Sequence, residues 1–487
     1  MRTILLMAVA VVMSGCPGPG PSGTGGGGGS TIGGGGGGVA TGGSGGSLGG
    51  GAGGGVTGGG TGGATGGGTG GATGGGAGTV TFDTFAFYRP VLLSGADGVL
   101  HLVFNTNTSP STVQYARCAS DCGIGTNWAV TIVGTDEFTG STRMVIGTDN
   151  RLHLLYDITR TAGSSELIYA TCASNCTQSA SWTKTNLASL FGGGWSSPSN
   201  GTPLVIDSQN RLTFTVDRKI YANGGVTLAT CASGCSTVGS WSVGTIRASG
   251  TRTVLAARGT TLHQLIDNDT PSVNATSLAY RTCTGNCTVE ASWQELPNLF
   301  YYDGQKPLAI AATAQGGVRV VYNQGPTDAS QPANIKAQDN KMLVWGCDSN
   351  CLQLSSWRGF ITGAVGDGAD GIALSEQAGS MVISVSNTDR VFARYCGSDC
   401  LTDTNWMSAD VDTTTAMTAE YDPFALTAVT CSGTRPQAAT WHFAHGVVAI
   451  RPDGSVAFAH AASILRTCTG GTSVVYVPGF GRLVYVP

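Results

Sequence analysis

Charge is what this chain has least of. Asp, Glu, Lys and Arg make up 11% of the 487 residues and nearly cancel, for a formal net charge of −4. So sparse and balanced a set argues against a nucleic-acid partner and against a basic membrane-binding face. Long apolar runs are also missing. The longest, Ile4–Val12, is about half of what a bilayer-spanning helix needs. The six histidines follow no ligand spacing, and no Ser/His/Asp set can be assembled from spacing, because a triad is recognised by geometry. Nothing in the sequence calls for a cofactor or a resident metal.

What is there is a spacing. The pattern C-x3-C-x5-W occurs six times without change: Cys118/Cys122/Trp128, Cys172/Cys176/Trp182, Cys231/Cys235/Trp241, Cys283/Cys287/Trp293, Cys347/Cys351/Trp357 and Cys396/Cys400/Trp406. Successive first cysteines stand 54, 59, 52, 64 and 49 residues apart by subtraction. A period near 50 is about one propeller blade. Each repeat opens with a short apolar strand, a turn and a second strand, as in Pro90–Leu93 then Leu100–Phe104. Its turns carry Asp97-Gly98, Asp149-Asn150 and Gln209-Asn210, residues that tolerate the positive φ of tight hairpins. The third strand ends at the first cysteine and the fourth opens at the tryptophan. The fold class is therefore all-β, a propeller of about seven four-stranded blades, with eight as the alternative. The tryptophan is expected to pack between blades rather than bind a ligand.

Before the repeats come two segments without a core. Residues 1–16 read as an export signal, with Arg2 as the charged start, Ile4–Val12 as the apolar part and Met13-Ser14-Gly15-Cys16 as the processing site. That site resembles the lipobox of bacterial lipoproteins, with Met13 in place of the usual Leu. The resemblance implies acylation of Cys16 and a membrane partner through the lipid. Residues 17–79 are almost entirely Gly with Ser, Thr and Ala, and Pro is absent after Pro21. Such a segment has nothing to bury and reads as a disordered tether. Its 63 residues would span about 40–48 Å on average. The propeller is then 80–487.

Of fifteen cysteines, Cys16 is the lipid site and fourteen remain. An even, patterned set in an exported chain reads as disulfides, and zinc would need four ligands where each repeat supplies two. Each C-x3-C is expected to bridge within itself across the hairpin between third and fourth strands: Cys118-Cys122, Cys172-Cys176, Cys231-Cys235, Cys283-Cys287, Cys347-Cys351 and Cys396-Cys400. Cys431-Cys468 would be a long-range bridge in the closing blade. That blade is expected to be irregular, occupying 411–487 with an inserted hairpin, and residues 80–87 could add its missing strand.

The repeat resembles the BNR or Asp-box propellers of the sialidase superfamily, whose S-x-D-x-G-x-T-W motif marks the same turn. Ser120-Asp121-Cys122-Gly123 with Thr126 and Trp128 is the nearest match, and Ser398-Asp399 with Thr404 and Trp406 a weaker one. Along its whole length the chain is also similar to lipoproteins of myxobacteria that join a Gly-rich tether to a propeller. The first resemblance implies three arginines gripping a carboxylate. Tyr88-Arg89-Pro90 is similar to the family's Phe/Tyr-Arg-Ile-Pro, and Arg143 and Arg252 stand near the starts of later repeats. They are expected at the mouth of the central channel, largely hydrated. The family's catalytic Tyr, Glu and Asp have no motif here; Tyr301, Tyr302 and Asp303, or Glu420, Tyr421 and Asp422, are candidates by composition only. Asp367-Gly368-Ala369-Asp370-Gly371 looks like a calcium loop but lacks the later ligand. His101, His153 and His263 recur at Leu-His on second strands, one imidazole per blade. The expected function is a membrane-tethered, non-enzymatic recognition or scaffold module for protein or glycan, in the bacterial envelope, facing the periplasm or the cell surface from the outer membrane. The alternative is a sialidase-like glycan hydrolase.

Overall fold

A computed structural model describes residues 78–82, 87–106, 110–136, 139–159, 165–191, 204–217, 225–247, 253–268, 276–302, 308–323, 341–364, 371–387, 389–423, 438–468 and 474–486. These form seven four-stranded antiparallel sheets. The innermost strands of blades one to seven are Phe87–Ser94, Thr139–Ile146, Leu204–Ile206, Thr253–Arg258, Leu308–Ala312, Gly371–Gln377 and Ala438–Ile450. Each touches its counterparts in the neighbouring blades, and the seventh meets the first. The fold is a closed seven-bladed β-propeller.

Closure comes from exchange between the two ends of the described chain. Gly78–Phe82 is the outermost strand of blade seven, paired with Val474–Val486, so the first described strand completes the last blade. It begins two residues inside the segment read as tether. Blade seven shows no inserted hairpin among the described residues. Its first two strands are the long Ala438–Ile450 and Val456–Thr467, and 411–413 belong to the outermost strand of blade six. A seven-residue helix, Thr414–Glu420, joins the two blades. Residues 1–77, Cys16 among them, and Cys431 lie outside the described residues; Cys468 is disulfide-bonded.

The repeated motif explains why the blades hold together. In each of blades one to six the two cysteines are joined, with Cα–Cα distances of 5.5–5.8 Å. They do not face each other across the hairpin. The first cysteine ends the third strand, and the second sits within the loop, so the bond closes a tight turn on one side of that loop. Such a turn needs a left-handed residue. It is Asp121, Asn175, Gly234, Asn350 or Asp399 at φ +47 to +65, and Gly285 at +100 in blade four. Asn, Asp and Gly reach this region at least cost. A three-residue 3-10 turn follows, and then the tryptophan, whose indole N–H donates to the second cysteine's carbonyl at 2.7–3.1 Å in all six copies. The constant x5 is that turn plus the two residues that lead into it.

All six tryptophans are 6–7% exposed. Three meet a tyrosine of the preceding blade edge to face: Tyr115–Trp182, Tyr169–Trp241 and Tyr280–Trp357, with centroids 5.2–5.5 Å apart. The same tyrosines bond His101, His153 and His263 at 2.6–2.7 Å. Burial pushes these three imidazoles down to about 4, so at neutral pH they are uncharged. The recurring histidines are therefore struts between strands. The first hairpin turns are as the sequence suggests, with Gly98, Asn150 and Asn210 at φ +76, +60 and +59.

Candidate site at the channel mouth

Register fixes which end of the channel each residue occupies. In blade one Ser94 pairs with Leu100 and Leu100 with Cys118, while Tyr88 pairs with Asn105 at the other end. Inner strands therefore begin at the face opposite the disulfides, and their first residues ring that mouth. Here three adjacent blades depart from regular pairing. The ladder breaks between Tyr88 and Val91, between Thr139 and Thr142, and between Ala444 and Val447. Arg89 and His445, inside two of these breaks, have φ of +50 and +56. A non-glycine residue held there is strained, and bulges re-aim side chains next to functional sites.

Arg89 and Arg143 both lie near the starts of their inner strands, but not at equivalent positions. Counting back from Leu93 opposite His101 and from Val145 opposite His153, Arg89 matches Ser141, and Arg143 matches Val91. The offset brings the two together across neighbouring blades. The Arg89 Nη1 donates to Ser141 Oγ at 2.7 Å, and Thr142 Oγ1 donates to the Arg89 carbonyl at 2.8 Å. The Arg143 Nη1 donates to the Thr142 carbonyl at 2.5 Å. Beneath them Asp157, fully buried, accepts the Ser141 N–H. Burial and, less strongly, the like charge of Arg89 lower the Arg143 pKa to about 10 against the opposing pull of Asp157. Both arginines are half-buried rather than largely hydrated. At neutral pH two guanidinium groups outweigh the one carboxylate among these three, and an anion is favoured there. Arg252 lies outside the described residues.

The other end of the channel differs. Leu93, Val145, Ile146, Leu204, Ile206 and Ala257, near the ends of the inner strands, line a cavity of about 310 Å³ that carries no charged side chain among its described walls. A second charged cluster sits at the seam of blades six and seven. Asp412 accepts from Arg482 Nε at 2.9 Å and from His460 Nε2 at 3.1 Å, and Arg482 Nη1 donates to Glu420 at 2.7 Å. Asp412, His460 and Arg482 are 0–4% exposed, which closes them to any ligand. Burial lowers the His460 pKa against the pull of Asp412, leaving it neutral. Burial alone would raise Asp412, but His460 and Arg482 hold it below the usual carboxylate range. Glu420, a compositional candidate for catalysis, is thus a partner of Arg482. The side chains of Tyr301 and Tyr302, the whole of Asp303 and the stretch 367–370 are outside the described residues.

The sequence did not single out Asp157 or His445. The signals were an acid ending the apolar run Leu152–Tyr156, and a His-Gly pair inside a strand, where glycine marks a bulge. Among the described residues no three His, Cys, Asp or Glu side chains gather to hold a metal ion, and no helix is long and apolar enough to cross a membrane.

No protein-family model matches the chain, and no curated protein does. Solved structures align with it at low identity. A Hadza microbial sialidase aligns at 11% identity and a TM-score of 0.42, over 62% of this chain and 65% of the sialidase. The polysaccharide lyase Uly1 aligns at 10% and 0.44, over 84% of this chain and 98% of the lyase. Hydrazine synthase of Kuenenia stuttgartiensis aligns at 10% and 0.41, over 80% and 96%. Likenesses at this level assign no activity.

Proposed function

We propose that this protein is a non-enzymatic recognition propeller, held to a bacterial envelope by a lipid on Cys16, that binds carboxylate-bearing glycans or protein side chains at its channel mouth. The observation that carries the reading is the Arg89–Arg143 pair, set side by side on adjacent inner strands with one residue held in a strained conformation. Two guanidinium groups offer a planar carboxylate paired N–H donors. Their existing bonds to Ser141 and Thr142 hold them in place, which reduces the ordering cost of binding. Glucuronate and sialyllactose serve as probes for isothermal titration. Binding is expected, and Arg89→Ala should weaken it about tenfold or more, the effect of losing a charged hydrogen bond of about 1.5–3 kcal/mol. Binding unchanged in Arg89→Ala would remove the mouth from the reading.

The hydrolase alternative would require a nucleophile and an acid at the same mouth. Asp157 is buried under the arginines and Glu420 is engaged at the seam. We expect no turnover of fluorogenic sialosides; robust turnover that disappears in Arg89→Ala would replace recognition with hydrolysis. For the anchor, Cys16→Ser should release the protein from the membrane fraction, and an unmodified Cys16 in the mature protein's mass spectrum would end that part of the reading.

A further inference from the structure

The disulfide-side end of the channel is walled by equivalent residues of successive blades. In each blade one inner-strand residue pairs with the second-strand residue that itself pairs with the first cysteine. For blades one to six these are Ser94, Ile146, Ile206, Ala257, Ala312 and Glu376. The first four, from adjacent blades, line the cavity of about 310 Å³, with Leu93, Val145 and Val205 one position further along the channel. That volume is at the low end of small-molecule sites. It is roughly twice the cavity of about 150 Å³ that takes up one benzene.

The wall is backed by packed core. Leu93 and Ile146 pack against the core shared by blades one and two, Val145 and Ile206 against that of blades two and three, and Val205 and Ala257 against that of blades three and four. Nearby charges are engaged in their own turns or in the next blade. Asp97 accepts the Val99 N–H at 3.1 Å, and Arg151 pairs with Asp149 at 3.5 Å. Arg211 Nε donates to Asp207 at 2.9 Å, and Arg258 Nη2 reaches the Ala314 carbonyl at 3.5 Å. Glu376 accepts the Gly379 N–H at 2.9 Å. The side chains of Leu93, Val145, Ile146, Val205 and Ile206 are only half-buried, so apolar surface stays open to the channel. Each inner strand is also the edge of its sheet, and that edge carries backbone N–H and C=O groups without a ladder partner.

We propose that this cavity binds a small uncharged compound, largely apolar, about the size of two fused aromatic rings and carrying one hydroxyl or amide. Covering the aliphatic wall is the driving force. The single polar group bonds to the free strand edge. An ion would give up its hydration with no opposite charge in the described wall to replace it. The cavity lies at the opposite end of the channel from the arginine mouth, and the proposal does not depend on what that mouth binds.

The test is saturation-transfer NMR on the full chain with 2-naphthol as probe and phenol as its one-ring counterpart. 2-Naphthol should bind with Kd of about 0.1–1 mM, and phenol at least about fivefold more weakly. Two variants copy residues that other blades already carry at the same ring position, so the fold tolerates them there. Ile206→Glu, the residue of blade six, should weaken 2-naphthol about tenfold or more, and Ile146→Ser, the residue of blade one, about threefold. Circular dichroism should stay unchanged in both. Wild type and variants are measured in the same buffer, so that probe taken up by lipid or detergent is subtracted. Arg89→Ala and Met407→Glu, the latter an exposed site on the outermost strand of blade six, should bind as wild type does. No binding of 2-naphthol, phenol binding as tightly as 2-naphthol, or full binding in folded Ile206→Glu would each overturn the proposal. Loss of binding in Arg89→Ala would place the probe at the arginine mouth and overturn it as well.

Discussion

Six blades and the seventh reach the same four-stranded sheet by different means. In blades one to six a covalent turn and a buried tryptophan fix the hairpin at the outer edge, and the strands themselves run only three to nine residues. Blade seven has no such pair. It has strands of twelve and thirteen residues, a borrowed outer strand, and a buried cluster of Asp412, His460 and Arg482, with the exposed Glu420 bonded to Arg482, joining it to blade six. Its join to blade one runs through Arg451, whose Nε donates to the Gly98 carbonyl at 2.6 Å and whose Nη1 donates to Tyr485 at 2.6 Å. A local bond needs no distant partner to form. The closing blade must bring both ends of the ring together, and its contacts are correspondingly long-range. The difference teaches where the ring is vulnerable: pins are dispensable one at a time, whereas the seam is not.

The largest effect should therefore come from the seam. Arg482→Ala leaves Asp412 buried without its cation, a change that costs about 3–5 kcal/mol. Chemical denaturation should show that loss, and a loss under about 1 kcal/mol would mean the seam is not what closes the ring.

Acid should strike next, across both kinds of blade. The folded pKa of His101, His153 and His263 lies near 4, below the unfolded value of 6.5. The unfolded chain takes up these protons first, so their neutral burial supports the fold fully above pH 6.5 and progressively less toward pH 4. His460 acts in the same direction. Melting temperature should fall steeply over that window, and His153→Gln, which keeps a partner for Tyr169 without titrating, should flatten the slope. A melting temperature that is flat from pH 7 to pH 4 would contradict the burial of neutral imidazoles.

The smallest effect should come from one pin. Replacing Cys172 and Cys176 together by Ser should cost about 2 kcal/mol or less, because the closed loop is so short. The far-ultraviolet circular dichroism should not change. Collapse of the whole ring on losing one pair would erase the contrast between pinned blades and seam.

Much of this was legible in order and spacing. A constant C-x3-C-x5-W, repeated at blade length, dictated an all-β ring, and Asp97-Gly98, Asp149-Asn150 and Gln209-Asn210 marked the first hairpin turns. Those features are local, set by residues within about ten positions of each other. The candidate site was legible only in part. Arg89 and Arg143 could be picked out, yet their meeting depends on how the first strands of two blades lie side by side, which hydrophobic pattern does not record. The helix Thr414–Glu420 was not foreseen, because a seven-residue threonine-rich stretch carries no helical periodicity. Asp412, His460 and Arg482 are spread over 70 residues, and only ring closure makes them neighbours. Sequence alone determined the blade, because a blade is built from short-range turns and alternation. Tertiary structure decided the mouth and the seam, because each forms where neighbouring blades touch, between side chains 52 and 70 positions apart.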